Sequence, residues 1–542
     1  MIKSIKNISS IVFFLFVAVV AYAQPDLPSE EVEIIKDFEA ALEESTKLVI
    51  APELPALDST SRKLLYSIPS KTLNVEYLPP KIRPIAMRKD AVPPIYKGFL
   101  KLGYGIPSSP YGELSYHTAD PKVYEIGFNA LHHSANFKDL ENQRFSMTDI
   151  GVDGTYYNDQ GFAVSGNVGY NIDQVHFYGY DHDEQTTVVR EQIKQEFNTF
   201  TIGAKIFNGA RTEGDINYFA GFDIYRLDDN FASVETNLDI KLGVTKWFNE
   251  QHELTLGITT DFTNYNDQTE KNKLNNFYLM PSFTFHGDAF KVKIGANITA
   301  NEDKFKVFPD AEAAVNVVGN KLSVYAGAEG SLYKNSFKNL SDYNPFIVSR
   351  EKLEVKNSSY YNFYGGIRGN LKVIDYQGQV GLKKVNDLAL FFPDPIDTLR
   401  FGALYDTVDI FYIKGTLNAS PVKGLEIIGT IGSNVYSLNN QEKAWGLPSF
   451  EVNFGLVYTT LEDKLRIKAD LFIENGIPYV NDLGEADNLN GLFDLSLGAD
   501  YQVSKNFGIF FQLNNLANNK RQRWENYPTY GINVLGGITA RF

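Results

Sequence analysis

Between Tyr96 and Phe542 one pattern repeats with little interruption: apolar and polar residues alternate over segments of strand length. Val234, Thr236, Leu238, Ile240, Leu242 and Val244 oppose Glu235, Asn237, Asp239, Lys241 and Thr245. Phe290, Val292, Ile294, Ala296 and Ile298 oppose Lys291, Lys293, Asn297 and Thr299. Leu465, Ile467, Ala469, Leu471 and Ile473 oppose Arg466, Lys468, Asp470 and Glu474. Successive side chains of a strand point to opposite faces, so each segment offers one apolar face and one polar face. The sheet of a soluble sandwich alternates too. Many segments here, however, reach the roughly 9–11 residues that a tilted membrane-spanning strand requires.

The segments number about 22, an even count of the kind that closed membrane barrels use. Their connections fall into two classes. Tight turns occur at Asn158–Gly161, His286–Asp288, Val318–Lys321, Leu461–Lys464 and Val503–Asn506. Longer polar connections run over His133–Arg144, Asp181–Gln195, Lys334–Asn357, Leu388–Leu404, Leu438–Gly446, Gly476–Asn490 and Ala517–Thr529. Short and long mostly alternate, as they do where periplasmic turns are short and outer loops long. The last strand, Ile532–Phe542, places Phe542, Ala540, Ile538, Gly536, Val534 and Ile532 on one face. Arg541, Thr539, Gly537 and Leu535 fall on the other. The pattern predicts an all-β fold over 96–542: a transmembrane outer-membrane β-barrel of about 22 antiparallel strands, closed by a strand ending in an interfacial aromatic.

The opposite terminus is consistent with export. Lys3 and Lys6 precede an apolar run from Ile11 to Val20, and Ala21-Tyr22-Ala23 supplies a small-x-small cleavage pattern. That run is shorter than the roughly 20 residues of a spanning helix, so residues 1–23 read as a signal peptide. Residues 24–95 form a separate segment, acidic at first and then broken by prolines at 52, 55, 69, 79, 80, 84, 93 and 94. Proline removes amide donors and interrupts helix and central strand alike. The segment is expected to be extended, lying in the periplasm or along the barrel lumen.

Composition narrows the partners. The formal charge of −15 opposes nucleic acid, whose phosphates demand a basic face. The absence of Cys agrees with an oxidising envelope compartment. The 32 Tyr and 39 Phe suit two aromatic girdles at the membrane interfaces, with outer-membrane lipid and lipopolysaccharide as surroundings.

One resemblance rests on specific residues. Phe510-Phe511-Gln512-Leu513-Asn514-Asn515-Leu516-Ala517-Asn518 is followed by Tyr527-Pro528-Thr529-Tyr530-Gly531 and by the closing strand to Phe542. An Asn-Leu pair, an aromatic-Pro-x-x-Gly stretch and a terminal strand ending in Phe, in that order, resemble the end of the TonB-dependent receptors. The resemblance implies a 22-stranded barrel with a plugged lumen, ligand uptake, and a TonB-type energy-coupling protein as partner. The chain departs from that family at its start. A large folded plug domain would precede the barrel, whereas only the proline-broken segment stands here. Glu31-Val32-Glu33-Ile34-Ile35 faintly resembles an energy-coupling box. A lumen of this width must be occupied by the N-terminal segment (Leu54–Pro94 in particular), by inward-folded outer loops, or by another protein.

No catalytic, cofactor-binding or metal-ligating constellation is legible. His117, His132, His133, His176, His182, His252 and His286 are scattered without ligand spacing. Asp181-His182-Asp183 and the nearby His132-His133 pair read as exposed loop or rim residues. Gly-rich phosphate loops and serine elbows are absent from the sequence. Lys520-Arg521-Gln522-Arg523 in the last outer loop reads as a solvated cluster, with a grip on lipopolysaccharide phosphates or an acidic ligand as the sharper alternative. The chain is expected not to be an enzyme. Two readings stand: a plugless receptor-like barrel active in ligand passage, and a non-transporting barrel subunit or scaffold.

Overall fold

The structure is a computed structural model that describes residues 96–542, apart from 121–122, 139, 183–187, 211, 268, 270, 302–303, 350–352 and 482. The expected signal peptide 1–23, the segment 24–95 and Glu31–Ile35 within it lie outside the described residues. The alternating stretch folds as one closed antiparallel sheet of 22 strands. Each strand pairs with its sequence neighbours, and the first, Gly98–Ile106, pairs with the last, Asn533–Arg541. The closing ladder runs from Phe99 opposite Arg541 to Ile106 opposite Val534. Closure removes both sheet edges, so every backbone polar group of the wall finds a partner without water.

Alternation decides which face turns outward. On Val234–Phe248, Ile240, Leu242 and Val244 are exposed on the exterior, while Glu235 and Asn237 are buried. In the closing strand Ile538 is exposed, and Leu535 and Thr539 are buried. Outward apolar side chains recur around the barrel, among them Ile202, Ile224, Ile294, Leu382 and Ile413. In water so continuous an apolar exterior would drive aggregation, and in a bilayer it is the stable arrangement.

The polar faces line the interior and satisfy one another. Lys334 Nζ lies 2.9 Å from Asp261 and donates to Thr263 Oγ1 at 2.9 Å. Asn237 Nδ2 donates to the same Asp261 at 2.7 Å. Arg368 pairs with Glu312 at 2.9 Å, and Lys468 with Asp500 at 3.0 Å. Lys468 and Asp500 sit on neighbouring strands, while the pairs of Arg368 and Lys334 reach over intervening strands. All need the polar face turned inward, because a slip by one residue would turn these charges into lipid.

The tight turns expected from sequence all lie at one rim of the barrel, and the longer connections at the other. One expected connection is shorter than predicted. Leu388–Leu404 continues the ladder, with strands Ile374–Pro393 and Phe401–Ala419 paired as far as Pro393 opposite Phe401. Its apolar residues are buried on both faces of this projecting hairpin, Leu390 against Trp445 and Phe391 against Trp524. Burial on both faces replaces the polar character expected of a loop. The connection Lys334–Asn357 holds the α-helix Phe337–Tyr343, which the period-two pattern did not predict.

Candidate functional site: the bridged mouth of the barrel

A closed sheet of 22 strands spaced about 4.8 Å apart and tilted encloses a lumen on the order of 40 Å across. Side chains from opposite walls cannot meet over that distance. At the long-loop rim they do not have to, because the loops cross it.

The crossing begins on one wall. Phe197, Leu227, Tyr265 and Leu274, on four strands between Lys194 and His286, pack against Phe337, Leu340 and Ile347. These last three belong to the connection that follows strand Leu322–Asn335, several strands further round. The helix in that connection starts where the wall receives it. Glu235, fully buried on its strand, accepts from the backbone amides of Phe337 at 2.6 Å and Lys338 at 3.2 Å. Tyr225 Oη donates to the same carboxylate at 2.7 Å. The first amides of a helix have no intrahelical acceptor, and Glu235 together with the N-cap Ser336 supplies what they lack. Further along, Tyr265 Oη and Ser233 Oγ both donate to the carbonyl of Ser349. Wall and loop are thus joined by side chains that the sequence places on the polar face.

The centre of the mouth is occupied by Tyr527-Pro528 of the last loop. The Tyr527 ring stacks on Phe346 with centroids 3.7 Å apart and meets Tyr178 edge-on at 5.0 Å. Its hydroxyl donates to the carbonyl of Leu399 at 2.5 Å. The Pro528 carbonyl accepts from Gln143 Nε2 at 2.9 Å and from Tyr178 Oη at 3.0 Å. One dipeptide therefore engages the connections that leave four different strands, two on each side of the mouth. Burial pushes the Tyr178 and Tyr527 hydroxyls well above the ordinary tyrosine range. Arg400 lies over the rings of Phe177 and Phe231 at 4.5 and 4.1 Å, adding a cation to the aromatic cluster.

The last loop is held at its base by the residues of the family-like motif. Asn515 adopts a left-handed φ of 49° and is 4 % exposed, which ties up its side chain. Its amide donates to the carbonyls of Asn519 at 2.9 Å and Tyr530 at 2.6 Å, and it accepts from the Asn519 amide at 3.0 Å. Asn518, also left-handed, accepts from the amide of Ile532 at 3.0 Å. Asparagine tolerates this conformation and can satisfy the turn's own backbone groups. The Asn-Leu signature thus works as a clasp that sets the angle of the last loop.

The basic cluster of that loop is engaged in structure. Arg523 Nε pairs with the buried Glu474 at 2.9 Å, and its other nitrogens donate to Tyr343 Oη and the Gly446 carbonyl. Its guanidinium also lies 4.5 Å over Trp524. The expectation of a solvated cluster therefore fails at Arg523, since Glu474 and three connections enclose it; Arg521 is exposed. The void lined by Phe391, Trp445, Arg523 and Trp524 holds about 10 Å³, the room of a single water.

The histidines are not brought together. His132 bonds Thr148 Oγ1 at 2.8 Å, whereas His133 reaches Ser109 Oγ at 3.2 Å on the other face of the same strand. His182 lies against Tyr180 and the Tyr178 carbonyl, and Asp183 lies outside the described residues. No group of three His, Asp or Glu suited to a metal occurs among the described residues. In the sequence Asn515 and Tyr527-Pro528 read only as parts of a closing motif, and neither they nor Phe346, Glu235 and Tyr178 are read as having a role in the mouth. The available signal was the placing of Trp524 and Tyr527 in a polar connection, where large aromatics call for a partner.

No protein-family model and no curated protein matches the sequence. Solved structures do match in fold. The ferripyoverdine receptor of the outer membrane of Pseudomonas aeruginosa superposes with a TM-score of 0.61 at 11 % identity, over 82 % of this chain and 72 % of that one. The FrpB iron transporter of Neisseria meningitidis gives 0.64 at 10 % identity, over 82 % and 81 %. The siderophore receptor PiuA of Acinetobacter baumannii gives 0.61 at 10 % identity, over 82 % of both chains. At such identities the likeness is one of architecture. The chain shares with these receptors and this transporter a fold, here a closed antiparallel barrel of 22 strands.

Proposed function

We propose that this chain is an outer-membrane barrel of the TonB-dependent-receptor type that lacks a folded plug and takes part in ligand passage, with its own outer loops as the gate. The observation that carries this reading is the bridged mouth: a polar-walled barrel of receptor type whose long connections meet over the lumen around Tyr527-Pro528. In this reading residues 1–23 direct export to the outer membrane of a Gram-negative bacterium, and residues 24–95 serve as a periplasmic or lumenal arm. Lipid and lipopolysaccharide surround the wall. A TonB-type coupling protein or another periplasmic protein is the partner, and the chain performs no catalysis.

A second reading, a non-transporting subunit or scaffold, draws on the tight packing at Trp524, which leaves no space for a bulky ligand there. Planar-bilayer conductance separates the two. A gated barrel gives a closed state with the full mature chain and large openings when residues 24–91 are removed or the mouth is loosened. Silence under every condition, together with a stoichiometric partner retained in mild detergent, would favour the scaffold. A steady large pore from the full mature chain would defeat the gate.

A further inference from the structure

The cover over the mouth has two parts that are fastened differently. The connection containing helix Phe337–Tyr343 is bolted to the barrel wall through buried groups: Glu235 to the amides of Phe337 and Lys338, Tyr265 and Ser233 to the carbonyl of Ser349. The last loop, 515–532, is fastened otherwise. Beyond its clasp at Asn515 and Asn518, its tip bonds chiefly to other connections: to Leu399, Gln143, Tyr178, Gly446 and Tyr343. Toward the wall it makes the ion pair of Arg523 with Glu474 and, near its base, a ring contact of Tyr530 with Phe145 at 5.6 Å.

We infer that the last loop is the moving strap of the mouth, swinging on its asparagine clasp, while the helix-bearing connection stays fixed to the wall. The inference rests on the proposed reading of the mouth as a gate and adds which element opens. Left-handed residues at both ends of the clasp let the loop pivot through a few backbone angles. Release of Arg523 and Tyr527 removes the ion pair to Glu474 and the contacts to Tyr343, Gly446, Leu399 and Phe346, and leaves the tip held by the Pro528 carbonyl on Gln143 and Tyr178. Release of the last loop leaves one buried wall carboxylate, Glu474, without its partner. Release of the helix-bearing connection would take two amides from Glu235, the shared acceptor from the Tyr265 and Ser233 hydroxyls, and Phe337 from its packing on Phe197 and Tyr265 together.

The chain has no cysteine, so a single introduced thiol reports without background. Ala403→Cys sits on the hairpin face shared by Phe391 and Phe401, which Trp524 covers. Ser349→Cys lies buried within the fixed connection, against the wall. Each is placed in the full chain, in whole cells, and exposed to a polyethylene-glycol maleimide too large for general porins. The expected result is slow labelling of both thiols in the parent. Adding Arg523→Ala with Tyr527→Ala accelerates Ala403→Cys roughly tenfold or more, as for a local opening, while Ser349→Cys stays protected.

Equal acceleration at both positions means the cover opens as one body and overturns the strap. No acceleration at either, with both thiols reactive after denaturation, overturns it as well. Rapid labelling of Ala403→Cys in the parent means the mouth already stands open, and then the gate reading itself falls. Heat-modifiable migration verifies that each barrel has folded. If the double variant does not fold, Arg523→Gln alone repeats the comparison.

Discussion

Glu235, on the inner face of the barrel wall, accepts the backbone amide of Phe337 at 2.6 Å, joining residues 102 positions apart at the start of the helix that enters the mouth. The pair explains why a carboxylate is buried completely. It is enclosed by two amides and the Tyr225 hydroxyl, and so remains solvated by the protein itself.

Removing that carboxylate should loosen the helix and leave the barrel intact. Glu235→Ala orphans two helix amides and the Tyr225 hydroxyl, at a cost of about 1–3 kcal/mol for each buried group left unpaired. Amide hydrogen exchange over 337–343 should rise strongly in Glu235→Ala and less in Glu235→Gln, which keeps one acceptor oxygen. Unchanged protection in both would show that packing of Phe337 and Leu340 suffices without the cap.

Arg523 and Glu474 form a pair of which the acid is 5 % exposed. Breaking such a pair from one side costs about 3–5 kcal/mol, because the remaining charge stays buried. Arg523→Ala should therefore expose the last loop to limited proteolysis, with Arg523→Lys only partly restoring it, since lysine cannot hold Glu474, Gly446 and Tyr343 together. Wild-type resistance in Arg523→Ala would mean the aromatic contacts of Tyr527 hold the loop unaided.

The mouth should open at high pH. Burial raises the Tyr178 and Tyr527 hydroxyls above their unfolded values, so both are neutral in the closed cover. A raised folded value contributes stability that is present in full below the unfolded tyrosine pKa of about 10 and declines as pH rises through the folded value. Labelling of Ala403→Cys should accelerate in detergent above about pH 10, with far-ultraviolet circular dichroism unchanged. Phenylalanine at both positions should flatten that rise, and a rise that persists would assign the effect elsewhere.

The apolar exterior also makes a prediction. Leu242→Arg places a charge on the outward face in mid-strand, where the cost is about 2–4 kcal/mol in a bilayer. Unfolding from lipid vesicles should shift by that amount, whereas Thr259→Arg, on the lumenal face opposite Lys241, should change it little. Equal effects would contradict the assignment of faces.

Much of this architecture was legible in the chain. Alternation with period two is a local property, and residues such as Ile240 beside Lys241 declare their faces without reference to any neighbour in space. Strand number, the two classes of connection and the closing strand follow from counting such segments, because a closed barrel repeats one rule. The projecting hairpin was not legible: Leu390 and Phe391 lie on opposite faces and are both buried, which alternation does not foresee.

The mouth was decided by tertiary structure alone. Gln143 meets Pro528 across 385 residues, and Tyr178 meets it across 350, pairings that no local spacing encodes. By itself the sequence determined a membrane barrel with long connections at one rim. Whether those connections stand apart or meet depends on ring closure, which sets the first and last strands side by side and brings the last loop within reach of the early ones. That closure is why Tyr527-Pro528, read in the sequence only as part of a terminal motif, becomes the dipeptide on which four connections converge.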